Sequence, residues 1–108
     1  MKRIDVQAFT FVTALAVVLT LPLSVGAQDA STLYKSKCAA CHGADGTGSP
    51  MGKKMGVHDF TSADVQKISD AELADTITNG KNKMPKYGQS LKPEDIKGLV
   101  AYIRTLKK

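Results

Sequence analysis

The two cysteines of this 108-residue chain stand three apart, and a histidine follows the second directly: Cys38-Ala39-Ala40-Cys41-His42. No other feature constrains the fold as tightly, because whatever these thiols and this imidazole hold together must lie within reach of five consecutive residues. The domain around them is small enough that its side chains alone make a marginal core. Something besides packing is expected to organise it.

The first quarter of the chain reads as an address. Met1 to Gln7 carries Lys2 and Arg3, Ala8 to Leu21 is an apolar run of about fourteen residues broken only by threonines, and Pro22 follows. That run is shorter than the roughly twenty residues of a spanning helix. Val25-Gly26-Ala27 offers the small residues of a cleavage site, so residues 1–27 are expected to be a cleaved signal peptide and 28–108 the domain. An uncleaved anchor, lengthened by Pro22 to Val25, is the alternative; no cysteine stands at the cleavage point to take a lipid. The destination is the periplasm or another exported compartment, with no stable membrane insertion after cleavage.

Removing Lys2, Arg3 and Asp5 with the leader leaves 13 of the 15 basic and 9 of the 10 acidic residues, a net charge of +4. The lysines are scattered, tryptophan is absent and aromatics are few. Nucleic-acid binding, which wants a basic stripe interleaved with stacking side chains, is not expected.

C-x-x-C-H is the attachment motif of haem c, in which both thiols add to the vinyl groups and the adjoining imidazole ligates iron. Two intervening residues put both sulfurs near one porphyrin edge. Three other readings compete. A thioredoxin-type redox pair would want a preceding strand and a βαβ unit, and no strand-like alternation is visible. A zinc site could use Cys38, Cys41, His42 and His58, though with two ligands side by side at positions 41 and 42. A plain disulfide suits an oxidising compartment, but closing so short a loop restrains the unfolded chain little.

Helical signals fill the rest. Asp29 to Ala40 supports a first helix capped by Asp29 or Ser31, with Leu33, Tyr34, Lys37 and Cys38 sharing a side. His42 to Gly56 holds five glycines and is expected to be loop, running close to a flat ligand. A short turn after Asp59 or Thr61 would bury Phe60, Val65 and Ile68. Ser69-Asp70-Ala71-Glu72 is a capping box opening a helix to about Thr78, with Leu73 and Ile77 inward and Gly80 at the C-cap. The last helix starts at Pro93, carries Ile96, Leu99, Val100, Ile103 and Leu106 on one stripe, and has Glu94 and Asp95 at its start and Arg104 and Lys107 at its end, as the dipole prefers. Ser90 and Lys92 are its candidate caps. The expected class is all-α, three to four helices.

The motif at 38–42, the segment Asn79-Gly80-Lys81-Asn82-Lys83-Met84-Pro85 and the final amphipathic helix together resemble a small bacterial monohaem class I cytochrome c, over nearly all of 28–108. The resemblance implies that fold wrapped around one covalently attached haem c. It implies cofactor contacts from Cys38, Cys41, His42, Met84, Pro50 and Tyr87, with His42 and Met84 as axial ligands. Met84 is the methionine with a following proline ahead of the last helix; Met51 and Met55 are the competing thioethers, and His58 a further candidate ligand. The Pro50 carbonyl is expected to accept the hydrogen bond of the iron-bound imidazole, and Tyr87 to pack near the ring or bond a propionate. Ala30 and Tyr34 would meet Tyr102 where the first and last helices cross.

The implied function is single-electron transfer by a monomer, not an enzyme, between redox protein partners such as an oxidase, reductase or dehydrogenase. Lys53, Lys54, Lys81, Lys83 and Lys86 flank the haem loops and could steer an acidic partner. The rivals are a haem site whose sixth position opens to peroxide or a gas, and a zinc-binding structural module.

Overall fold

The computed structural model describes residues 13–20 and 28–108. The expected leader therefore lies mostly outside the described residues, and so does its cleavage motif. Within residues 13–20, Leu15, Val17, Val18 and Leu19 are exposed and belong to no regular element. Among the described residues no helix is long and apolar enough to cross a membrane.

Asp29 opens the first helix by accepting a hydrogen bond from Ser31 N (3.2 Å), and α1 runs Ala30–Lys37. The expected single helix to Ala40 is interrupted at Cys38. The Cys38 N–H still bonds the Tyr34 carbonyl, but its φ of −116° ends the helix, and the chain restarts as α2, Ala39–His42. The attachment motif thus straddles a break between two helices. Gly43, at φ +80°, closes α2 with a turn that side chains rarely permit.

The glycine-rich stretch is not wholly loop. Pro50–Lys54 forms α3, with Pro50 in the first turn and Ser49 as its cap, accepting from Gly52 N at 3.0 Å. Ser49 Oγ in turn donates to the Ala40 carbonyl at 2.7 Å. A good cap followed by proline outweighs the local glycine content. Next, α4 (Ala63–Gln66) is capped by Ser62. Asp59 and Thr61, the expected caps, are engaged with each other, since Asp59 Oδ1 accepts from Thr61 N and Oγ1 at 2.8 and 2.6 Å.

Helix α5 (Asp70–Asn79) starts at Ser69, whose hydroxyl accepts from Glu72 N at 3.1 Å, and ends at Gly80. Helix α6 (Pro93–Thr105) has Lys92 at its cap position. Ser90 does not cap it, for its hydroxyl donates instead to the Tyr87 carbonyl. The described residues thus hold six helices, more than the three to four expected, because three of them are single turns. No strand is present among them, only one isolated bridge between Lys81 and Met84. The all-α class stands.

The three longer helices make the frame. Leu33 and Tyr34 from α1, Leu73 and Ile77 from α5, and Ile96, Leu99, Val100 and Ile103 from α6 form one buried cluster with Leu91. Helix α6 is shared between α1 and α5, and its apolar stripe is the one the i, i+3, i+4 spacing predicts. Where α1 and α6 cross, the Tyr34 and Tyr102 rings lie 4.8 Å apart, and Ala30 faces Gly98, at which an added Cβ would stand 3.5 Å from that of Ala30. Gly98 is the small residue of this crossing that the sequence reading did not single out.

Arg104, at the end of α6, fastens the middle of the chain. Its guanidinium reaches Asp70 Oδ1 at 2.8 Å and the Gln66 carbonyl at 3.1 Å, and it also donates to the Ile68 carbonyl. Gln66 Nε2 bonds the carbonyls of Phe60 and Ile103. The segment carrying Phe60, Val65 and Ile68 is therefore held against α6 at several points.

Candidate haem site

One cleft gathers residues from four parts of the chain. Cys38, Cys41 and His42 line it from the α1–α2 break. Phe60, Val65, Ile68 and Leu73 supply apolar wall, and Met84, Pro85 and Tyr87 come from the loop after α5. Met55 and His58 line it too, with Lys37, Lys81 and Lys83.

The His42 ring stacks on Phe60, centroids 4.4 Å apart and planes 18° from parallel. Burial, with a smaller contribution from the charge of His58, holds its imidazole below the ordinary value, so the neutral form that can ligate a metal is favoured. Its Nδ1 is buried without a hydrogen-bond partner among the described residues. The expected bond to the Pro50 carbonyl is not made. Pro50 is exposed and stands in the first turn of α3, in a helix and not in a free loop.

No disulfide joins the two cysteines. Burial pushes Cys38 up to about 11, the reverse of the lowered value that activates a thioredoxin-type thiol. Among the described residues no three His, Cys, Asp or Glu side chains converge as metal ligands, so the set Cys38, Cys41, His42 and His58 is not assembled for zinc. An apolar cleft, two thiols along it, and a neutral imidazole with an orphaned nitrogen do fit a porphyrin: these residues offer thioether attachment and one iron ligand.

The peptide after His42 is fixed from below. Tyr34, fully buried, donates its hydroxyl to the Gly43 carbonyl at 2.7 Å. Gly52 of α3 lies against the other side of the motif, where a Cβ would fall 1.8 Å from the Cys41 carbonyl oxygen. Neither contact is legible from local sequence, since each joins residues whose meeting depends on how α1, α2 and α3 pack.

The Met84 loop is equally constrained. Lys81 and Met84 exchange backbone hydrogen bonds at 3.3 and 2.9 Å across a turn in which Asn82 takes φ +53°. Tyr87 N and Gly88 N donate to the carbonyls of Ile77 and Thr78, both at 3.0 Å, stapling the loop to α5. The Tyr87 hydroxyl donates to the Lys37 carbonyl at 3.1 Å, tying the same loop to α1 beside the attachment motif. Met51 is 55% exposed and outside the cleft.

A family model described as cytochrome C oxidase, cbb3-type, subunit III matches residues 26–103. Cytochrome c-553 of Helicobacter pylori is 38% identical over 93 residues, covering 83% of this chain and 91% of that one. The chain belongs to the class I cytochrome c family. A solved c-type cytochrome, KustC0563, is 35% identical and superposes with a TM-score of 0.71 over 74% of this chain and 99% of the other. The cbb3-type cytochrome c oxidase subunit FixP of Azorhizobium caulinodans is 34% identical over 82 residues, but this chain spans 27% of its length.

As a c-type cytochrome the protein carries covalently bound haem and transfers electrons. In this cytochrome the sequence reading brought Cys38, Cys41, His42, Met84 and Tyr87 to one cleft. Lys37 and Asn82 line it as well, while Pro50 does not.

Proposed function

We propose that this cytochrome is an exported shuttle for single electrons, with one haem attached through Cys38 and Cys41 and iron held by His42 and Met84. The observation that carries the reading is the Met84 loop. A thioether is presented into the cleft of His42 by a turn closed on itself and stapled to both α1 and α5. Met55, the other thioether in the cleft, follows α3, which packs on the same α2 that carries His42. A second ligand from a separate element suits a ring held between two parts of the chain.

When bound, the haem supplies a one-electron iron couple whose ferrous state a soft thioether favours. With both axial positions filled by protein, no place remains for a substrate, which favours a carrier over an enzyme. Rigid ligands keep reorganisation small. Lys37, Lys81 and Lys83 at the rim of the cleft supply positive charge that would guide an acidic face of a partner. Oxidases, reductases and dehydrogenases are the partner classes this suits, the cytochrome acting as a monomer. Residues 1–27 are the signal removed on export to the periplasm, and 28–108 are the working domain.

The test is the absorption spectrum of the exported haem protein, oxidised and reduced, alongside Met84→Ala. Sharp c-type bands with the weak sulfur-to-ferric-iron charge-transfer band are expected for the native protein. Met84→Ala should keep the haem, lose that band, lower the potential and admit exogenous ligands. An unchanged potential and band would remove Met84 from the iron.

A further inference from the structure

Asp95 is the charged side chain in the core of the described residues, 3% exposed. The first turn of a surface helix is where a solvated carboxylate serving the dipole is expected, yet this one is enclosed. Its carboxylate accepts two hydrogen bonds, both from backbone. Lys92 N donates to Oδ2 at 3.2 Å, and Gln28 N donates to Oδ1 at 2.8 Å across 67 positions of sequence. Among the described residues no side-chain cation pairs with it; the ion pair present is Arg104 with Asp70. A carboxylate buried with neutral donors and a helix N-terminus is only partly compensated for its lost hydration.

The nitrogen at 2.8 Å belongs to the residue that becomes the first of the domain once the leader is removed after Ala27, and the role assigned to Asp95 rests on that cleavage. Cleavage adds water across the Ala27–Gln28 bond, leaving a carboxylate on Ala27 and an amino group on Gln28. That amine has an ordinary pKa of roughly 7.7–8.0 and takes up a proton at neutral pH.

We propose that Asp95 is the docking site for the α-ammonium released at Gln28, so that processing turns a neutral backbone contact into a partly buried ion pair joining the N-terminus to α6. Charge-assisted bonds of this kind are about twice as strong as neutral ones. The pair lies at the start of α1, and it adds to the packing of Ala30 against Gly98 that brings the first and last helices together.

The same contact governs the chemistry of Gln28. A free N-terminal glutamine cyclises when its unprotonated amine attacks its own side-chain carboxamide carbon, forming the lactam C–N bond and expelling ammonia. An amine held protonated by Asp95 has no lone pair for that attack. Asp95 therefore keeps the mature terminus open.

Sequencing the N-terminus of the exported haem protein fixes the starting residue. The protein starting at Gln28 is then compared with one carrying a short Gly-Ala extension, each with Asp95 or Asp95→Asn, as a double-mutant cycle read by thermal unfolding and intact mass. The free-amine form should melt above the extended form, Asp95→Asn should abolish that gap, and the same substitution should speed loss of ammonia. A gap that persists in Asp95→Asn, or full cyclisation in the native protein, overturns the proposal while leaving the leader reading intact. A start at another residue overturns both. Should Asp95→Asn fail to accumulate, labelling folded native protein with an amine-reactive reagent decides: protection of the Gln28 amine is expected, and free reaction refutes the pair.

Discussion

Gly52 fixes how closely α3 approaches the attachment motif. A Cβ there would stand 1.8 Å from the Cys41 oxygen and 2.7 Å from its carbonyl carbon, and neither backbone atom can move without carrying Cys41 and His42 along. Gly52→Ala is predicted to destabilise the haem protein by at least the ~1–3 kcal/mol of a typical overpacked site and to perturb the haem bands, measured by denaturant unfolding and absorption. An unchanged midpoint would contradict this packing. Tyr34 acts from the other side. Tyr34→Phe strips the buried Gly43 carbonyl of its 2.7 Å partner and is predicted to cost about 1–3 kcal/mol with the fold retained; a loss well below that in unfolding titrations would mean water replaces the hydroxyl. At this scale the sequence points to Cys38, Cys41 and His42, because their spacing is itself the motif. It could not show Gly52 or the Tyr34 bond, which depend on atoms brought near by folding.

The elements divide by how local their causes are. Helices α5 and α6 follow from Ser69, Gly80, Pro93 and a regular apolar stripe, all within one segment, and their bounds match the expectation within a residue or so. Helix α3 was hidden by glycine content that the Ser49 cap and Pro50 overrode. The break at Cys38 has no strong breaker in the sequence to announce it. The loop from Gly80 to Gly88 is the element whose shape decides where Met84 lies. Gly80 takes φ +73° with ψ 170°, and a Cβ there would meet the Met84 oxygen at 2.6 Å. That conformation is nearly reserved for glycine. Gly80→Ala is therefore predicted to cost about 1–3 kcal/mol and to weaken the sulfur-to-iron band; retention of both stability and band would show that the turn tolerates a side chain.

At the scale of the whole molecule the apolar core is modest: among the described residues ten apolar side chains are buried, four of them on α6. Beside that core lies the apolar cleft lined by Cys38, Cys41, His42 and Met84. For a domain of this size, closing the cleft with a covalently held ring adds buried apolar area at about 25 cal/mol per Å². Cys38→Ser combined with Cys41→Ser is predicted to abolish covalent haem and most of the helical structure, checked by far-ultraviolet circular dichroism at physiological temperature. A cooperatively folded, haem-free double variant would show that the helices stand without the ring.

The sequence by itself determined the all-α class and the two longest helices, because each follows from periodicity and capping within a short stretch, and it pointed to the attachment motif by its spacing and to the Met84 loop by family resemblance. Tertiary structure alone decided the rest. It drew Pro50 into the first turn of a helix packed on α2, set Gly52 against Cys41 and Gly98 beneath Ala30, and buried Asp95 under the Gln28 amide. These are contacts between segments far apart in the chain, and the energy that selects them, burial of apolar surface and pairing of enclosed polar groups, exists only once the helices have met.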